Sequence, residues 1–138
     1  DTGSCSCSHA EKWVTVDASP PTRKYYDYGD NLIGITHGDK GKPMLWSRLM
    51  PVEATEQWSR THHREFHVGH IHHESAVTDE VNGVKVRHLA SLAPPSAWEA
   101  GEGYVSSSMS AEAFHWHVLD GMIGTAIYHH KYPEKPTP

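Results

Sequence analysis

Ile35-Thr36-His37-Gly38-Asp39 and, further along, Val68-Gly69-His70-Ile71-His72 are the stretches on which the reading of this chain turns. In each, an apolar or branched run ends on a histidine with a glycine beside it. Such a run predicts a β-strand that delivers an imidazole to a loop, and the glycine lets backbone come close to whatever is bound there. His70 and His72 are two residues apart. Alternate residues of an extended segment project to the same side, so both rings are expected to point at one place. Histidine is the commonest metal ligand among side chains. The chain has 13 histidines in 138 residues, and six of them fall between His62 and His73.

Working outward, Lys24 to Tyr28 and Leu32 to Thr36 read as two strands joined by turn residues at Gly29-Asp30-Asn31. Between the two histidine motifs, Met44 to Met50 and Val52 to Arg60 have helical composition, with Pro51 opening the second piece. Glu65 to Val68 is a short strand. Asn82-Gly83 is the strongest hairpin signal, within Val81 to Leu89. From Glu112 to Leu119 the pattern alternates, with Phe114, Trp116 and Val118 on one face and His115 and His117 on the other. Gly121 turns the chain, and Met122 to Tyr128 returns it. Trp13 to Val16 is a further short strand. Residues 1–12 and the Pro-rich residues 131–138 read as tails around one region, 13–130. The fold class is α/β, mostly sheet with a short helical region.

With 37% hydrophobic and 21% charged residues the composition is that of a folded globular domain. No apolar run reaches the roughly 20 residues that span a bilayer, so no membrane partner is expected. The net charge of −5 excludes the broad basic footprint of a dedicated nucleic-acid binder. Cys5 and Cys7 are too close for an unstrained disulfide. They read as a reduced pair of a cytoplasmic protein or as thiols seeking partners elsewhere, in an ordinary tail or in a small metal clip with His9. Trp98 and Tyr104 flank a Ser- and Gly-rich loop, with Trp98 read as a plug of the core; the family resemblance carried by the histidine motifs would instead set such a loop near a substrate cleft.

A His-Gly after one strand and a Gly-His-x-His after another resemble the last two metal-binding motifs of the calcineurin-like metallophosphoesterases. The layout from residue 13 to 128 is similar to phage and bacterial members of DNA-repair exonuclease type. The resemblance implies a metallophosphoesterase-type β-sandwich, of which this chain is mostly the C-terminal sheet. It implies a phosphodiesterase or nuclease, with a phosphoester substrate, nucleic acid included. His37 and His70 would ligate one metal ion and His72 its neighbour, with Asp39 steadying an imidazole by a hydrogen bond. Imidazole donors suit Mn, Fe or Zn over Ca or Mg. In the intact family, two ions about 3.5–4 Å apart support in-line attack at phosphorus.

The family also requires Asp-x-His, Gly-Asp-x-x-Asp and Gly-Asn-His-Asp. No Asp here is followed two residues later by His, Gly29-Asp30 lacks its second Asp, and Asn31 and Asn82 both sit in turn sequences. The chain is therefore expected to supply only the histidine half of the site. The alternative is a non-catalytic metal-binding or self-assembling relative. The apolar residues of Leu32 to Ile35, Val84 to Leu89 and Phe114 to Val118 are expected to share one face, covered by a missing N-terminal half or by further copies. His67 is expected to be structural, His73 to face solvent, and His115 and His117 to lie on a wet face.

Overall fold

The computed structural model describes residues 17–69, 79–90, 92 and 109–129. Strand β1 (Arg23–Tyr28) turns directly into β2 (Asn31–Thr36), and helices α1 (Pro43–Glu53) and α2 (Thr55–Arg60) follow. Then come β3 (His63–Val68), β4 (Asp79–Val81), β5 (Val84–His88), β6 (Ser110–His117) and β7 (Gly121–His129). Five strands form a mixed sheet in the order β1-β2-β3-β5-β4, and β6 and β7 form a separate antiparallel pair. This is the expected α/β class, dominated by sheet. The residue 13–16 strand lies outside the described residues.

The core is built on one face of the large sheet. Leu32, Phe66, Val68, Val84 and Val86 alternate onto that face and are fully buried beneath Trp46 and Met50 of α1. Polar contacts fasten the rim. Arg23 pairs with Glu53 at 2.6 Å, Arg60 with Asp27 at 2.9 Å, and the Arg64 guanidinium lies 3.6 Å over the Trp58 ring. Gly34 has no side chain because the Phe66 ring occupies that space; a Cβ there would come within 2.5 Å of it.

The opposite face meets the β6–β7 hairpin. Phe114 sits 4.7 Å from the His67 ring, and Trp116 sits 6.2 Å from it. Between the layers Glu65, 3% exposed, accepts from Arg87 Nε at 2.5 Å and from His67 Nε2 at 3.2 Å. At the hairpin tip Asp30 N donates to Val118 O at 2.8 Å, and His63 Nε2 donates to Leu119 O at 2.9 Å.

Two expectations are corrected. The apolar strand residues do not share one open face. Because side chains alternate along a strand, Leu32, Val84 and Val86 turn toward the chain's own helices. Ile35 turns the other way and is 45% exposed, while Phe114 and Trp116 belong to the second sheet. Nor does Pro51 begin a helix. Helix α1 runs through it to Glu53 and breaks at Ala54, whose φ of −122° and ψ of 46° leave the helical region. Met50 precedes the proline and would ordinarily avoid helical backbone. Its fully buried side chain holds it in the core, and packing overrides the local preference.

Candidate metal centre at the parallel strand ends

Strands β2 and β3 run parallel, with Thr36 opposite Val68 as the last pair. Both arrive at the same sheet end, and the chain leaves them at His37 and Gly69. The ladder continues one step further, where Gly69 N donates to Thr36 O at 3.2 Å. A Cβ built on Gly69 would stand 3.3 Å from His37 O and 4.0 Å from His37 Nδ1. The His37 ring therefore lies against the glycine that immediately precedes His70. This proximity depends on parallel pairing; an antiparallel pair would send the two motifs to opposite ends.

Strand β5 also runs parallel to β3, pairing His88 with Val68, and Leu89 N donates to Val68 O at 2.8 Å. A third histidine thus ends at the same edge of the sheet. His88 packs edge-on against Trp46, with ring centroids 6.2 Å apart, and its Nδ1 is buried without a hydrogen-bond partner among the described residues. Nothing flanking His88 in sequence marks it. Its only signal is its place at the end of a β run, which becomes informative once the three strands are known to be parallel.

Of the expected ligands, His37 is exposed at the end of β2, while His70 and His72 lie outside the described residues. Among the described residues no three His, Cys, Asp or Glu side chains stand together as a metal would require. Asp39 is exposed and makes no hydrogen bond to an imidazole there. The Cys5, Cys7 and His9 clip, His73, Trp98 and Tyr104 also lie outside the described residues. His67 is packed between the sheets as described, and His115 and His117 are exposed on the outer face of the hairpin. His62 and His63 are engaged at the far end of β3, where His62 Nδ1 donates to Asp30 Oδ1 at 2.7 Å. That bond holds the Asp30 carboxyl below its usual range. Six residues at about 3.3 Å each put this cluster some 15–20 Å from the strand ends that carry His37 and Gly69.

Compared with known proteins, the chain matches no family model, no curated protein and no solved structure. Among the described residues no helix is long and apolar enough to cross a membrane.

Proposed function

We propose that this chain is the histidine-bearing C-terminal part of a metallophosphoesterase of calcineurin-like type, whose parent hydrolyses phosphodiesters. The observation that carries the reading is the approach of His37 to Gly69 at the shared end of two parallel strands. It sets His37 beside Gly69, the residue before His70 and more than thirty residues away in sequence, which is what a metal site shared by the two motifs would need. His37, His70 and His72 would hold divalent metal through neutral nitrogen donors, a set suited to Mn, Fe or Zn. When bound, the metal would supply Lewis-acid polarisation of the phosphoryl group.

The protein's own contribution is placement. The β2–β3 ladder fixes the backbone of His37, and Gly69 leaves room beside its ring. The carboxylate ligands and the general acid would come from preceding sequence of the parent, so this chain alone binds metal without turning over substrate. Isothermal titration with Zn²⁺ and Mn²⁺ tests the site. Binding that weakens at least tenfold in each of His37→Ala, His70→Ala and His72→Ala supports it. Binding indifferent to all three substitutions removes it.

A further inference from the structure

The edge of a sheet presents backbone donors and acceptors that another strand can pair with, and charged side chains ordinarily guard it. Among the described residues four strands have an open edge: β1 and β4 at the ends of the large sheet, and β6 and β7 of the two-stranded one. Three of these carry charge, with Arg23, Lys24 and Asp27 in β1, Asp79 and Glu80 in β4, and Glu112 in β6. Strand β7, Gly121–His129, has no Asp, Glu, Lys or Arg in its nine residues. It is the unguarded edge, and it belongs to a ribbon of two strands, an arrangement that is marginal until further strands join it.

The outward face of that ribbon carries both a hollow and a ring. Phe114 and Trp116 turn toward His67, so Ala113 and His115 turn away from the large sheet, opposite Ala126 and Gly124 of β7. These small residues leave a shallow hollow of about 400 Å³ with a mostly apolar lining. A Cβ built on Gly124 would meet only His115 Cβ, at 3.7 Å, so the space over the glycine is open. Tyr128 lies on the same outward face, paired with Ala111, and is 60% exposed. Four residues separate it from Gly124, about 13 Å along the strand.

We propose that β7 pairs antiparallel with β7 of a second copy about a two-fold axis at Ala126, each Tyr128 ring filling the other copy's hollow over Gly124. A two-fold contact requires one surface to carry both halves of the fit. Gly124 and Tyr128 stand two residues to either side of Ala126, so the axis that sets one Tyr128 opposite Gly124 sets the other likewise. Glycine leaves an aromatic ring room to lie across the neighbouring strand. In the same register Thr125 meets the half-exposed Ile127, and no like charges face each other. A second copy brings the matching ring by symmetry, whereas a foreign strand would have to supply one. The two ribbons then form one four-stranded sheet, β6-β7-β7-β6. This surface is distinct from the Leu32, Val84 and Val86 face, which the chain's own helices cover, and it is independent of the metal reading.

The test is sedimentation velocity of the full chain across micromolar concentrations, in EDTA. The wild type should dimerise, and Tyr128→Ala should raise the dissociation constant at least tenfold. Ala126→Lys should do the same by setting two like charges opposite each other on the axis. Both positions are exposed, and circular dichroism confirms that the variants are folded. In a Cys5→Ser/Cys7→Ser background, Ala126→Cys should give a disulfide-linked dimer on mild oxidation, because directly opposed strand residues stand within disulfide reach. Val52→Cys, at a position 73% exposed on α1, should give none. A dimer that both Tyr128→Ala and Ala126→Lys leave intact would overturn the proposal, as would a wild type that stays monomeric. A monomer whose outward β7 amides exchange slowly would assign the edge to another segment of this chain, and a dimer found only with added metal would be metal-bridged; either result also sinks it.

Discussion

The Asn31 side-chain amide, fully buried, donates to His117 O at 2.8 Å across 86 residues of sequence, and to Tyr28 O at 2.7 Å. One side chain thus closes the β1–β2 turn and ties it to the tip of the β6–β7 hairpin. Asn31→Leu leaves both carbonyls without that donor. Unsatisfied buried acceptors cost about 1–3 kcal/mol each, so urea denaturation should show a loss of about 2–4 kcal/mol. Hydrogen exchange should rise in β6 and β7 before it rises in β2 and β3.

Arg87→Met should destabilise the protein by about 3–5 kcal/mol at pH 7, because it strands the Glu65 carboxylate between the sheets. Burial alone would raise the Glu65 pKa; hydrogen bonds from His67 and Arg87, with the Arg87 charge, outweigh it and hold the group below its ordinary value of 4.5. A depressed carboxylate stabilises the fold above its unfolded pKa, and that contribution is lost as pH falls through the folded value. Wild-type stability should therefore decline below about pH 4.5, and Arg87→Met should show less of that decline. Chemical denaturation from pH 3 to 7 reads both effects.

Gly34→Ala should cost about 1–3 kcal/mol by overpacking against the Phe66 ring. Phe66→Leu alone creates a cavity and should cost a comparable amount. The double variant should be more stable than the sum of the single losses, because the smaller side chain makes room for the methyl group. Additive losses in a double-mutant cycle would mean that the two positions do not share the space.

Gly69→Val places branched carbons against His37 O and Nδ1, where even a Cβ stands at 3.3 and 4.0 Å. Zn²⁺ affinity should fall at least tenfold, while Tm falls by less than in Gly34→Ala. Titration calorimetry and thermal melts on the same preparation separate the two effects.

Gly41→Ala forces a strained backbone at φ +109° and a contact with Trp46 Nε1. Stability should fall by about 1–3 kcal/mol. The Trp46 fluorescence should shift to the red as its bond to Lys40 O loosens. An unchanged emission maximum would show that the indole does not hold the loop.

The sequence by itself determined the local elements. The Asn82-Gly83 turn is present, with both residues at positive φ (54° and 73°), and the 112–119 alternation places Phe114 and Trp116 toward the sheet. These follow from turn chemistry and side-chain period, which neighbouring residues encode. Only the tertiary structure decided where each element went. Parallel pairing of β2, β3 and β5 is a long-range choice that no single strand carries. That pairing put His37 beside Gly69 and brought His88 to the same end, although His88 has no motif of its own. Packing likewise carried α1 through Pro51, since the burial of Met50 is worth more than the proline's local preference. Turns and periods are properties of adjacent residues, whereas a site at strand ends is a property of how distant strands pair.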